Sequence, residues 1–251
     1  METDKVNEIH PLPNEGDDRR SEWFVPSFGS ASFRFFIGLL FLPYTGMVIA
    51  YSIIGSMLSD TVRWGRVLAM AWIYFFGLGI AAHALDALGS KSVKPWGSVF
   101  SKAQLWLMAA VSLILAYAVA VYYMVTVVPL LWIVALLEGF FVFAYNLEWF
   151  GGRFHTDAWF AFSWGFLPVW AGYIMQTNKL SLEALVLASS MALFSCVEIK
   201  ASRPYKEFKR RGIDLDPAEK GMMHRYEAIL KSISLGVILL ATGLLIRRMT
   251  G

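Results

Sequence analysis

Length, composition and charge together exclude an ordinary soluble domain. The chain has 251 residues, of which 57% are hydrophobic and only 16% are charged, whereas soluble domains carry about 25% charged residues. The formal net charge of +3 indicates no particular partner, and the single cysteine, Cys196, excludes an internal disulfide and any site built from several cysteines of one chain.

The apolar residues cluster into runs of about 20, the length that crosses the hydrocarbon core of a bilayer. We therefore predict an all-α fold, a polytopic helical membrane bundle with about seven transmembrane helices. Residues 1–30 are predicted to be a flexible cytoplasmic tail, because they are polar and interrupted by proline and glycine, and residues 31–251 form the helical transmembrane domain. The expected spans cover residues 33–58, 67–88, 105–125, 130–150, 158–175, 182–199 and 228–246.

The second span ends in the segment GIAAHALDALGSK, which carries His83 and Asp86. Residues three apart lie on one face of a helix, and ionisable groups inside a membrane span indicate a functional site. One interpretation makes the pair a metal ligand set or a general base. The other makes it a polar pair that bonds a neighbouring span.

The fourth span contains Glu138 and ends in the segment AYNLEWFGGRFHTD. Glu138 and Asn146 are eight residues apart and share a face, so they either line a polar cavity or bond across helices. Tyr145, Arg153 and His155 either bind an anionic group or anchor the helix end at the lipid interface.

Glycines and polar residues also predict where the helices around this loop stop and start. Gly151 and Gly152 are expected to stop the fourth helix, since glycine readily takes a left-handed cap conformation. Asp157 is expected to begin the fifth helix as its N-cap or as a first-turn acid.

The sixth span ends in the segment SCVEIKASRPYKEFKRR. Glu198 with Arg203 either completes a site from this span or forms a helix-end ion pair. Pro204 is predicted to end or kink the helix, which leaves residues 206–211 as a basic surface segment. This segment either lies on an anionic leaflet or binds a diphosphate. A new helix is predicted to begin at Asp216, followed by Pro217 and Glu219, which is a helix-start pattern.

Lysine and arginine are distributed unevenly between the two sides of a seven-span arrangement. The side with the N-terminus and the loops after spans two, four and six has a roughly threefold excess, so the positive-inside rule predicts a cytoplasmic N-terminus and a C-terminus on the opposite side. The ionisable residues at the span ends then share the cytoplasmic side. Nothing in the sequence indicates nucleic-acid binding, because the basic loops border lipid.

The layout resembles the UbiA superfamily of intramembrane prenyltransferases over residues 33–211. The segments after spans two, four and six occupy the places of the family's two aspartate-rich motifs and of its tyrosine and basic residue. The motifs have diverged: Asn-Asp-x-x-Asp-x-x-x-Asp aligns with Ala82, His83, Asp86 and Ser90, and Asp-x-x-x-Asp aligns with Glu198 and Ser202.

The resemblance implies a transferase that performs prenyl transfer or cyclisation of an isoprenoid in a cytoplasm-facing polar pocket. His83, Asp86 and Glu198 would be catalytic and would bind the family's divalent metal, Mg²⁺. The residues that would contact substrate are Glu138, Tyr145, Asn146, Arg153, His155 and Arg203. The partners would be membrane lipid and an isoprenoid or other lipidic small molecule. The alternative is a non-enzymatic protein on a UbiA-like shell, either a small-lipid carrier or a partner-binding subunit.

Overall fold

The computed structural model describes residues 22–89 and 100–251, and no β-strand occurs within these ranges. The predicted all-α fold class is thereby confirmed. The tail up to residue 21 and the loop with Lys91 and Lys94 lie outside the described residues.

The helices are α1 (Ala31–Leu40), α2 (Leu42–Met57), α3 (Trp64–Tyr74), α4 (His83–Gly89), α5 (Lys102–Thr126), α6 (Leu131–Asn146), α7 (Trp149–Gly152), α8 (Asp157–Phe160), α9 (Leu167–Thr177), α10 (Leu182–Arg211) and α11 (Pro217–Thr250).

Two π-helical stretches join neighbouring helices into longer runs. The first, Phe75–Ala82, connects α3 to α4, and the second, Ala161–Phe166, connects α8 to α9. Such stretches widen a helix locally and often occur at functional sites. Both lie directly beside residues of the candidate site described below.

The helices are long and apolar enough for a multi-pass membrane protein. Four helical runs meet the length and composition of a span, and the bent pair α1 and α2, which meet at 41°, makes a fifth if it counts as one span. Helix α6 is apolar but has only 16 residues. The expected number of seven spans stays a prediction, because it requires α6 and the run from α8 to α9 to cross as well.

The first span is broken at Phe41, which has a φ of 42°. Ser30 caps α1, and Pro43 lies in the first turn of α2, where proline costs no hydrogen bond. The predicted first span therefore consists of two helices that meet at 41°. The break places Phe41 and Tyr44 side by side, with ring centroids 4.2 Å apart.

Helix α6 ends at Asn146, four residues before the predicted end at Phe150. Glu148 and Phe150 both have left-handed φ values, 52° and 56°, so the chain has already left the helix before Gly151. The side chain of His155 approaches the carbonyl of Tyr145, with Nδ1 3.0 Å from the oxygen. It thereby binds a last-turn carbonyl that also accepts from the Glu148 amide at 3.3 Å.

Helix α10 continues through Pro204 to Arg211, so Pro204 does not end it, and residues 206–211 are part of the helix rather than a separate surface segment. Proline removes one hydrogen bond to the carbonyl four residues earlier, and that residue, Lys200, is exposed, so its carbonyl has access to solvent or headgroups. Residues 206–211, four of which are basic, form the last turns of α10. Their positive charge interacts favourably with the negative end of the helix dipole.

Two of the expected helix starts are confirmed. Asp216 caps α11, because its Oδ1 accepts from the Glu219 amide at 2.8 Å and the Glu219 carboxylate accepts from the Asp216 amide at 3.1 Å. Asp157 lies in the first turn of α8, as one of the two expectations had it, while Thr156 is the N-cap.

Helices α2 and α9 cross at the centre of the bundle, backbone against backbone. A Cβ on Gly172 would lie 2.0 Å from the Ser52 carbonyl oxygen, and one on Gly55 would lie 1.9 Å from the Val169 carbonyl oxygen. The Ser56 hydroxyl donates to the Gly172 carbonyl across this crossing at 3.3 Å. Small residues that admit such close approach are typical of helix packing in membranes.

One end of the bundle is held by side chains that bind the last turns of neighbouring helices. The amide of Arg63 donates to the Gln176 side chain at 2.8 Å, and the Arg66 guanidinium donates to the Met175 carbonyl at 2.8 Å. The Arg248 guanidinium donates to the Met57 carbonyl at 2.9 Å. We call the opposite end, where α4 and α6 end and α8 begins, the polar end.

Candidate functional site

Helix α4 brings His83 and Asp86 to the polar end. His83 is only 8% exposed, and its Nδ1 lies 2.9 Å from the carbonyl oxygen of Leu78 in the preceding π-helical stretch. Because a carbonyl can only accept, Nδ1 carries the hydrogen and the orientation of the ring is fixed. Helix α4 packs closely against α6 at Gly89, because a Cβ there would lie 2.1 Å from the Asn146 carbonyl oxygen.

Aromatic rings surround His83 on the side facing the bundle. The His83 ring centroid is 5.3 Å from that of Trp164 and 6.0 Å from that of Phe41. Phe160 stacks on Trp164 at 5.4 Å, and Tyr44 packs edge-on to Phe160 at 6.0 Å. We call His83 with these four rings the aromatic box. It joins α2, α4, α8 and the second π-helical stretch.

Asp86 belongs to a charged cluster beside this box. The hydroxyl of Tyr145, a 5% exposed residue, interacts electrostatically with Asp86, Asp157 and Arg203. Arg203 Nε lies 3.0 Å from Asp157 Oδ1. The two groups form an ion pair without the geometry of a hydrogen bond. His155 stacks on the Tyr145 ring, with centroids 4.5 Å apart. Four elements, α4, α6, α8 and α10, thus contribute to one cluster.

Glu198 approaches the aromatic box from α10. It is 3% exposed, and within the described residues neither its Oε1 nor the hydroxyl of Ser202 makes a hydrogen bond. Lys206 interacts electrostatically with Glu198, and its Nζ lies 5.1 Å from the ring centroid of Phe41 and 5.8 Å from that of Tyr44. The two predicted halves of the site therefore meet at the polar end, linked by Lys206 and the aromatic box.

Three predicted residues have other surroundings. Asn146 donates to the Val142 carbonyl of its own helix at 2.8 Å, so its buried amide is satisfied locally. Glu138 lies seven residues before Tyr145, about 10 Å further along α6, and accepts from the Tyr74 hydroxyl at 3.0 Å. Arg153 is exposed in the turn after α7, and its role as an anion ligand stays a prediction.

The donors of the site do not fit the Mg²⁺ ion that the resemblance implies. No three His, Cys, Asp or Glu side chains are grouped to hold a metal ion in residues 22–89 and 100–251. His83 Nδ1 is bonded to the Leu78 carbonyl and its ring packs against the aromatic box, while Asp86 interacts electrostatically with Tyr145. Mg²⁺ requires a near-octahedral set of oxygen ligands, so we derive no step through a metal.

The sequence left a diphosphate-binding role open only for the basic run 206–211 as a whole, so Lys206 was not among the predicted site residues. Asp157 was assigned only to a helix start. A signal for Lys206 was available, because residues 198, 202 and 206 recur every four positions and lie on one helical face. That signal required α10 to continue beyond Pro204. Phe41 and Tyr44 had no such signal, since their positions depend on the break between α1 and α2.

Comparisons with family models, curated proteins and solved structures give no match to this chain.

Proposed function

We propose that this chain is a diverged UbiA-like intramembrane enzyme that acts on an isoprenoid diphosphate at its polar end. The observation that carries the proposal is the convergence of Asp86, Tyr145, Asp157 and Arg203 beside the aromatic box, with Lys206 over two of its rings. In this proposal the bundle has seven spans, the N-terminus is cytoplasmic and the polar end faces the cytoplasm, in accordance with the distribution of basic residues.

The cations would bind the diphosphate. Arg203 is 47% exposed and is oriented by Asp157, so its remaining donors are accessible to phosphate oxygens, which the guanidinium fork matches well. Lys206 supplies a second positive charge close by. Together they would stabilise the leaving diphosphate. Their positive charge would replace part of the positive charge that metal ions supply in the family.

The aromatic box would receive the allylic end of the isoprenoid. Ring faces attract a cation, so they would stabilise positive charge as the bond between the allylic carbon and the diphosphate oxygen breaks. The acceptor, or in cyclisation a double bond of the same chain, would then bond to that carbon and lose a proton. Asp86 would take this proton, because its carboxylate lies in the charged cluster next to the box.

The test is binding of farnesyl diphosphate to the purified protein by calorimetry, with Mg²⁺ and with EDTA. We expect Arg203→Gln to weaken binding about 10- to 100-fold, since hydrogen bonds to charged groups contribute about 1.5–3 kcal/mol. Arg225→Gln, at an exposed arginine of α11, is the matched control and should leave affinity unchanged. Equal affinity in the two variants, or no binding by the wild type, would refute the proposal.

A second candidate is a carrier for the same class of lipid without catalysis. The lack of any group of three metal donors in the described residues favours it, because the family's chemistry depends on a metal-bound diphosphate. Release of inorganic pyrophosphate from farnesyl diphosphate in the presence of extracted membrane lipids distinguishes the two. Binding with pyrophosphate release supports the enzyme, whereas binding without release under any divalent metal supports the carrier.

A further inference from the structure

The first described residues of the chain pack on the bundle before α1 begins. We call residues 22–26 the strap. Glu22 is 6% exposed and Val25 is 9% exposed, and the Val25 amide donates to the Glu22 carbonyl at 3.0 Å. The Arg34 guanidinium of α1 donates to the Pro26 carbonyl at 2.9 Å. The strap therefore has a defined turn and a defined place on the protein.

The apolar part of the strap lies on the aromatic box. The Phe24 ring packs edge-on to the Phe41 ring, with centroids 5.0 Å apart. The space between the strap and the box has a volume of about 10 Å³, roughly what one water molecule requires. Three residues of the strap line this space, and the box rings of Phe41 and Tyr44 line it as well. A lipidic molecule cannot enter the box from this side while the strap is docked.

Polar contacts with α10 hold the strap in place. Glu22 Oε2 accepts from the Tyr205 hydroxyl at 2.8 Å and lies 4.0 Å from Lys209 Nζ. Lys209 Nζ also donates to the Tyr205 hydroxyl at 3.4 Å. We call Glu22, Tyr205 and Lys209 the latch. On the other side of the strap, Lys231 Nζ of α11 lies 5.3 Å from the centroid of the Trp23 ring, in a cation–π contact.

The linker between the strap and α1 has the features of a hinge. Residues 27–30 are exposed, and Gly29 has a φ of 96°, a conformation that glycine adopts at little cost. Helix α1 begins with its own cap at Ser30, so its start does not depend on the strap. Segments with few buried contacts open at low cost, and lids are drawn from them.

We infer that the strap is a lid on the aromatic box, that the latch holds it closed, and that a lipidic molecule enters or leaves the box on this side when the latch opens. That the strap closes the box does not depend on the proposed function. That the molecule admitted is an isoprenoid diphosphate rests on it.

The test measures the rate at which a maleimide reacts with single cysteines in the full-length chain that carries Cys196→Ser. Val25→Cys reports on the strap, and Tyr44→Cys reports on the box. Both positions are buried when the strap is docked, so either cysteine reacts only when its surroundings open.

Weakening the latch should expose both reporters. We expect Glu22→Gln and Tyr205→Phe each to raise both reaction rates about tenfold, because each variant weakens or removes one hydrogen bond that involves a charged group. The double variant should add little to either single one, since both substitutions act on the same contact. Glu207→Gln, at an exposed glutamate of α10, is the matched control and should leave both rates unchanged.

An open lid should also speed the exchange of a bound ligand. With farnesyl diphosphate as the probe, we expect Glu22→Gln to raise the dissociation rate about tenfold relative to Glu207→Gln, in proportion to the more frequent opening.

Three results would overturn the inference. The first is unchanged reaction of both cysteines in the latch variants. The second is faster reaction of Val25→Cys alone, because the strap would then move without opening the box. The third is faster reaction of both cysteines while bound farnesyl diphosphate dissociates at an unchanged rate. Faster reaction of both cysteines in protein that binds no farnesyl diphosphate would support the lid and contradict the proposed function.

Discussion

Replacing Gly172 with alanine is expected to destabilise the bundle at the crossing of α2 and α9. The added Cβ would lie 2.0 Å from the carbonyl oxygen of Ser52, 2.9 Å from its carbon and 3.0 Å from the amide nitrogen of Ser56. All three atoms belong to backbone, so no side-chain rotation relieves the contact. Ordinary van der Waals contact begins near 3.4 Å, so the two helices must separate locally by more than 1 Å.

The expected loss of stability follows from overpacking. Inserting one methyl group into a well-packed core costs about 1–3 kcal/mol, and the separation would also stretch the hydrogen bond from Ser56 to the Gly172 carbonyl, already 3.3 Å long. For a chain of this length, that loss lowers Tm by about 2–12 °C. The assay is thermal unfolding in detergent, followed by tryptophan fluorescence.

Gly236→Ala and Gly243→Ala are the matched controls. Both glycines lie in α11 with open space around the position of a Cβ, so alanine should stabilise the helix by about 0.5–1 kcal/mol. We therefore expect Tm to move in opposite directions for the same chemical change. An unchanged or raised Tm for Gly172→Ala would refute the close crossing of α2 and α9.

Three further changes have defined outcomes. Tyr205→Phe removes the 2.8 Å hydrogen bond to Glu22, so the segment before α1 should be cleaved faster by limited proteolysis, whereas equal rates would contradict its docking on α10. Asp216→Ala removes the N-cap of α11 and should cost about 1 kcal/mol in unfolding free energy, while Asp216→Asn should restore most of it. With single cysteines in a chain lacking the native one, Ser30→Cys should react only from the cytoplasmic side and Thr250→Cys only from the opposite side. The reverse pattern would contradict the proposed orientation.

Local sequence signals predicted those parts of the fold that local physics determines. The start of α11 was predictable because Asp216, Pro217 and Glu219 satisfy the first turn without any tertiary contact. The break at Phe41 was not, because phenylalanine has no intrinsic preference for a left-handed φ and only the surrounding bundle holds it there. Pro43 was the one available signal, since proline in a first turn indicates a new helix start.

Helix ends near prolines and glycines were harder to predict, because neither residue type fixes the position at which a helix ends. Pro204 indicated either an end or a kink of α10, yet the helix continues through it to Arg211 with the loss of one hydrogen bond. Gly151 and Gly152 indicated the end of α6, yet the chain left the helix after Asn146, where His155 reaches back to bind a carbonyl. Such a contact depends on the path of the following loop.

The candidate site was predictable in its residues more than in their partners. The spacing of His83 and Asp86 correctly placed both at one helix end, and the order of segments along the chain placed Glu198 and Arg203 at the same end. That His83 faces aromatic rings while Asp86 faces Tyr145 follows from how α4, α6 and α10 pack, which no single segment encodes. The expected metal ligand set depended on those orientations.

We propose that the polar end binds an isoprenoid diphosphate. The most direct test is crosslinking of the full chain with a benzophenone analogue of farnesyl diphosphate, followed by mapping of the labelled peptides. We expect labelling of the segments that form the aromatic box, around Phe41, His83 and Trp164, and we expect farnesyl diphosphate to compete with this labelling. Labelling confined to the outer faces of α5 and α11, or labelling that farnesyl diphosphate does not reduce, would contradict it.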